Sequence, residues 1–531
     1  MTSTTPTQPR VYDIIGYGDE VPGILALVSA SRAFQQRTQR KPRLLLMIKG
    51  ASQQGVGGHL VRGGLAYLDR SFVPVEIRKA HSLPTFGDPC ALYKEFLQRS
   101  QVKQIALNPD RANTALRAML QEAGVDLISQ VEIQTVLKDG ARIRGIQLKR
   151  GETYLATQFI DATVNAELAQ AAGVPKWQGW GSLGLPNSEL PVTLVFETKG
   201  ITPQRLKEIE LNFLRRYNTP TDKEAQNFLR MAAGQNDKLM QQFQQDMQQA
   251  FAQSRTLVIG EDFIDARCRA LSIAFHSYRG KACTLKPGGF ILDQPNIAIL
   301  EPDRLSWNAL LFATTGAEAE TLARGAAKPT ATMLAEIPFV ERWFKSLGAT
   351  SVKAYPELYI RHAGNVRDVV APLSSATMMR GGVPAAEALG TFGYHLDVRG
   401  GIDGLGMKAK AHGITNISVH QPTLFNVGIH HTLIRGVPNL AVVSPGSGFE
   451  DYGAAAGRII EFNAAVGQGV GIAMAIALVE KRHLATVTNA QVRKVLDDTK
   501  QITKIYGQSY PEVAMHLDAF NKLSGSSSAI A

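Results

Sequence analysis

With 531 residues, 44% of them hydrophobic, the chain can fill one large or two ordinary cores at roughly 100–200 residues per domain, which excludes miniature disulfide scaffolds, short binding modules and a mainly disordered chain. Lys and Arg number 57 against 46 Asp and Glu, a net charge of +11, so acidic partners such as phosphorylated cofactors or substrates are favoured. There is no run of five basic residues and no interleaving of basic with aromatic residues, so nucleic acid is not expected.

The first ten residues, rich in Thr and Pro, read as a disordered tail without the basic patch and apolar stretch of a signal peptide. Tyr12-Asp-Ile-Ile-Gly-Tyr-Gly18 is a short apolar strand ending in glycines, Gly23-Ile-Leu-Ala-Leu-Val-Ser-Ala a small-residue helix, and Arg43-Leu-Leu-Leu-Met-Ile48 a second strand. Together they form a βαβ unit with a right-handed crossover, the usual cradle of a dinucleotide: glycines let the backbone approach a diphosphate and the helix start offers N–H groups. The spacing Gly16-x-Gly18-x-x-x-x-Gly23 is two residues too long in its second gap. With Gly18 taken as the first glycine the second falls on Glu20, a carboxylate that repels a diphosphate, and Ile48 and Lys49 stand where an acid would take the ribose. A structural turn in a nucleotide-free α/β domain is the alternative. The glycine-dense run from Gly55 to Asp69 then points to backbone lying against something flat or charged.

Further on, Arg111 to Gly124 reads as an amphipathic helix with Gly124 as its cap, and Val131–Leu137 with Arg142–Lys149 as a hairpin turning at Asp139-Gly140. A strand is expected at Phe159–Thr163, a helix from Glu167, a strand at Pro191–Thr198, helices over Thr219–Ser254, strands within 255–300, and a helical pair over Ala317–Leu347 broken at Ile337-Pro338. Asn439–Ser444 reads as a buried strand, followed by Pro-Gly446-Ser-Gly448 and a long small-residue helix from Gly457 to Val479. The apolar run in that helix, Ala464–Val479, is shorter than the roughly 20 residues that span a bilayer and is broken by glycines, so a buried helix is expected and no integral membrane segment. Beyond about residue 485 an exposed helix and a Ser-rich tail are expected. Cys90, Cys268 and Cys283 are widely separated, which speaks against disulfides, a zinc site and an iron–sulfur cluster and for a reducing, cytoplasmic setting.

Five blocks fall in the order and approximate spacing of a known family: Gly57-Gly-His-Leu-Val-Arg-Gly-Gly-Leu-Ala-Tyr-Leu-Asp69; Phe159-Ile-Asp-Ala-Thr163 with Glu167-Leu-Ala; Tyr359-Ile-Arg361; Gly390-Thr-Phe-Gly-Tyr394 with Asp397; and Gly436-Val-Pro-Asn-Leu440 through Arg458 to Gly467-Gln468. In these the chain resembles the FAD-dependent oxidoreductases of the glutathione-reductase-like flavoprotein class. The resemblance implies an α/β protein: a discontinuous Rossmann-like FAD-binding domain (11–175 and 421–485) around an inserted α+β substrate domain with a Gln-rich helical insert (176–420), flanked by a tail (1–10) and a C-terminal helix and tail (486–531). By position it places Gly16, Gly18 and Gly23 at the diphosphate, Lys49 at a phosphate or ribose, Gly57, Gly58 and His59 near the ribityl and ring, Val131 beside the adenine, Asp161 and Thr163 on the strand passing the diphosphate, and Gly446, Gly467 and Gln468 by the flavin. Val131 as ordinary core and Asp161 as a helix cap are the alternatives.

The chain departs from the family pattern at Val164, where a glycine is expected, at Ser444-Pro445, where Gly-Arg is expected, at the missing ribose acid and at the stretched first turn. Either FAD is held in a modified way, or the fold survives for another role, binding a partner protein or other ligand. For hydride transfer between a small, acidic molecule and flavin, His430 and His431 in the loop before the last strand are candidate bases beside His362 and His395, and Arg361 a candidate clamp; a solvated histidine pair is the bland alternative. No metal is expected at His430 and His431, because neighbours in extended chain face opposite ways. Direct NAD(P)H use is not expected, and the electron acceptor is left open.

Overall fold

The computed structural model describes residues 8–411 and 423–525. Arg10–Tyr17 is a central strand, already regular at Arg10, so the tail does not extend to residue 10; residues 1–7 lie outside the described residues. It pairs in parallel with Leu44–Ile48 on one side and with Thr153–Asp161 on the other, and Leu44–Ile48 pairs in parallel with Val125–Ser129. All five residues of Leu44–Ile48 are buried, the continuous apolar run of a strand covered on both faces. The strand Thr153–Asp161 branches. Its first half takes the antiparallel meander Ile133–Asp139 and Arg142–Leu148, its second half the parallel strand Leu440–Val442 from the far end of the chain.

A second sheet of seven strands is antiparallel, with Arg304–Phe312 and Phe290–Glu301 at its centre. Helices Pro203–Tyr217, Lys223–Ala232 and Asp237–Ala252 carry the Gln-rich region. Helix Ala270–Arg279 was not expected among the strands of 255–300; it starts without a side-chain cap and is buried along nearly all its length. The break in the next helical pair lies at 325–330, and Pro338 sits in the first turn of Ile337–Ser346, where a missing N–H is harmless.

The two ends of the chain are joined by helices. Val21–Thr38 lies against Ile460–Val479, and a Cβ on Gly467 or Gly471 would overlap the carbonyl oxygens of Pro22 and Ala26, so the small residues of the long helix allow contact at backbone distance. Ile460–Val479 is long and apolar enough to cross a membrane, but most of its surface is covered by the rest of the protein. The C-terminal helix Pro511–Gly525 is not simply exposed, since Ala514, Leu517 and Phe520 are buried.

Candidate functional site

The glycine turn after the first strand forms as the sequence implies. Gly18 has φ +92°, and a Cβ there would lie 2.6 Å from the backbone of Ala162 and Thr163. Gly16 is inside the strand against Leu27, and Gly23 packs against Ala162. Gly446 borders Val164 and Ala166, so the turn, the Asp161–Glu167 segment and the loop after the last strand meet as the resemblance requires. Next to the turn lies a cavity of ≈ 60 Å³ bounded by Gly18, Lys49, Arg62, Thr163, Asn165 and Glu357.

The polar groups of this cradle are engaged with one another. Gly57 N–H and Gly58 N–H donate to Asp19 Oδ2 at 2.9 and 3.2 Å, and His59 N–H to Glu20 Oε1 at 3.3 Å. Arg62 grips Asp19 with both terminal nitrogens, 2.5 and 2.8 Å, and Glu357 through Nε at 2.6 Å. Lys49 pairs with Glu167 and also donates to the Arg324 carbonyl at 2.8 Å. Burial works against the Asp19 charge, but Arg62 and the two N–H groups outweigh it and hold that carboxyl below its usual range. For Glu357 burial wins over Arg62 and pushes the carboxyl up to about 7. His59 pairs with Glu20 and stacks on Tyr359 at 4.9 Å; its Nε2 finds no partner among the described residues.

The remaining expected residues take internal roles. Asp161 accepts from Thr163 N–H and Oγ1 and from Ala169 N–H, at 2.9, 2.6 and 2.9 Å, which makes it the organiser of the turn into helix Glu167–Ala171; burial raises it to about 6. Val131 is buried core. Gly467 lies in the helix seam, and Gln468 ties Leu92 N–H and Gln501 by its side chain. Arg361 is buried and donates to the Pro191 carbonyl and Asn308 Oδ1, over the Tyr359 ring; burial lowers it to about 10. The loop of His430 and His431 is not exposed: His431 is enclosed beside Phe449 and Phe462, and burial pulls its ring down to about 3 and lowers His430 as well. His362 is held between Glu189 and Asn365 at 2.8 and 2.7 Å. None of these histidines, nor Arg361, lines the cradle. Among the described residues no three His, Cys, Asp or Glu side chains converge on a metal position.

A second space is much roomier. A cleft of ≈ 630 Å³ opens between the segment Tyr67–Val75, Phe86, Ile105 and the segment Tyr394–Asp397. Its walls are aromatic, with Phe72 and Val75 at the mouth, 49% and 44% exposed. Asp69 and Asp397 face it, and behind them Arg458 reaches Asp397 at 3.0 Å and the Tyr359 hydroxyl at 3.2 Å. Arg70, under the Phe86 ring, is fixed to Glu461 at 2.6 Å. Of the expected bases, His395 lines this cleft. Asp69, Tyr394, Asp397 and Arg62 lie in the blocks that carry the resemblance but have no expected role there, and of the cradle's carboxylates Glu20 alone stands out in the sequence, as a charge misplaced in a glycine turn.

A parallel sheet completed from both chain ends, a glycine turn leading into a helix and an inserted antiparallel sheet define a flavoprotein-type α/β fold. The chain belongs to the FAD dependent oxidoreductase family, whose model matches residues 51–496. No curated protein matches its sequence. Among solved structures it is similar to the flavin-dependent brominase Bmp2 (10% identity, 92% of this chain and 83% of that chain, TM-score 0.36). It is also similar to a geranylgeranyl bacteriochlorophyll reductase-like protein from Thermoplasma acidophilum (11%, 97% and 100%, TM-score 0.34) and to L-proline dehydrogenase from P. horikoshii (10%, 93% and 100%, TM-score 0.34). At such scores these likenesses decide nothing about this chain.

FAD is the cofactor of the family. The cradle in the conformation described here does not fit its diphosphate. The open space beside the turn is only ≈ 60 Å³. The N–H groups beside it are taken by Asp19 and Glu20, and Lys49 and Arg62 are already paired with carboxylates.

Proposed function

We propose that the protein binds a small, ring-bearing, largely apolar molecule in the cleft beside Asp69 and Asp397. The cleft volume of ≈ 630 Å³, against ≈ 60 Å³ at the cradle, carries this reading. The aromatic walls supply contact area for a flat molecule, and Asp69, Asp397 and Arg78 offer polar groups of both signs along the lining. On this reading the family's fold serves ligand binding on a closed cradle. The division into a discontinuous first domain and an inserted second one is part of the proposal, as is a cytoplasmic setting, which suits three buried free thiols.

Family membership favours a second reading, hydride transfer between a small molecule and FAD. Native mass spectrometry and a visible spectrum of the full-length protein from its own host separate the two. The first expects a colourless protein that carries a small molecule released by Tyr394→Ala. A yellow protein with one FAD per chain replaces it by the second.

A further inference from the structure

We infer that Asp19 and Glu20 form an internal anion that competes with a diphosphate for the cradle, so that a dinucleotide binds only by displacing them. The inference stands apart from the ligand proposed for the cleft.

Three successive main-chain N–H groups, those of Gly57, Gly58 and His59, end on these two carboxylates, and Arg62 binds Asp19 through two parallel N–H···O bonds. Successive N–H groups with a fork-shaped guanidinium are the donor set that recognises a phosphate oxygen. Here the acceptors come from the chain itself. The fit is close, because a Cβ on Gly58 would overlap the Glu20 carboxylate. Asp19 and Glu20 also precede helix Val21–Thr38 directly, in the position where that helix stabilises negative charge.

Charge leaves no room for a further anion. Asp19, Glu20 and Glu357 line the cavity with Lys49 and Arg62, and Lys49 is paired with Glu167. A diphosphate entering with these carboxylates in place meets like charge in a buried setting where water screens it little. The donors that would receive it are released only if Asp19 and Glu20 leave.

The test is binding of inorganic pyrophosphate and of FAD to the full-length protein, followed by thermal shift and flavin fluorescence. The wild type is compared with D19N/E20Q, which keeps the side-chain shapes and removes both charges. Wild type is expected to bind both probes weakly, and D19N/E20Q at least ten-fold more tightly, with pyrophosphate raising its melting temperature. If the double variant does not fold, E20Q alone, which retains the Asp19–Arg62 pair, is expected to show the same direction. Folded variants with unchanged affinity overturn the inference, and so does wild type that takes up one FAD per chain at micromolar concentration. Unchanged affinity in the variants leaves the cleft reading standing, since its ligand is read separately by mass spectrometry, whereas one FAD per chain in the wild type overturns both.

Discussion

The cradle and the cleft are two concave regions of one molecule, and they are built on opposite principles. Around the cradle every cation is matched by a carboxylate and little space remains; around the cleft charged and aromatic side chains share the walls and the space is open. A site saturated by its own ion pairs has no surplus charge with which to recognise a ligand, whereas an open site lined by polar groups can still offer them. On the proposed reading ligand recognition lies at Asp69 and Asp397 and structural support at Arg62.

The largest effect expected from breaking this contrast is at Arg62. Arg62→Ala strands Asp19 and Glu357 without their cation in a buried place, and loss of one member of such a network costs about 3–5 kcal/mol; urea unfolding measures it, and a cost near zero would show that the cradle is wet and its ion pairs ornamental. Next is the pH response of Glu357. Its ordinary value of 4.5 is raised to about 7 by burial. Below about 4.5 folded and unfolded chains both carry the proton. Between there and 7 the unfolded chain releases it first, so stability falls as pH rises, by about 3 kcal/mol in total for this group. Glu357→Gln is expected to remove that slope between pH 5 and pH 8, and an unaltered slope assigns it to other buried carboxylates. The smallest effect is at the cleft mouth. Phe72→Ala is expected to change stability by no more than about 0.5 kcal/mol, since Phe72 is half exposed, while weakening the retained small molecule in native mass spectra. A large loss of stability there would make the cleft wall part of the core.

Much of the frame was legible because it follows from local pattern. The βαβ unit shows as two apolar runs around glycines, the meander as Asp139-Gly140 between alternating residues, and helix Pro109–Ala123 by its apolar spacing and Gly124. Helix Ala270–Arg279 was missed because a helix buried on most sides loses the polar face that gives period 3.6, and no Ser, Thr, Asp or Asn marks its start. The cradle was legible only in part. The glycines announce a close approach of backbone, but what approaches is Asp19, and its partner Arg62, with the Glu357 that Arg62 also binds, comes from positions that no local spacing connects. The same holds for Gly467 and Gln468, which read as cofactor contacts and serve the packing of one helix on another.

That packing bears on how the molecule is made. Helix Val21–Thr38 leaves the ribosome long before the segment that covers it, Ile460–Val479, is synthesised. Until then the face of the helix carrying Pro22, Ala26 and Ala30 lacks its cover, a condition that invites aggregation of nascent chains. A product of premature termination before residue 440 would lack both that cover and the strand Leu440–Val442, and is expected to be degraded rather than partly functional.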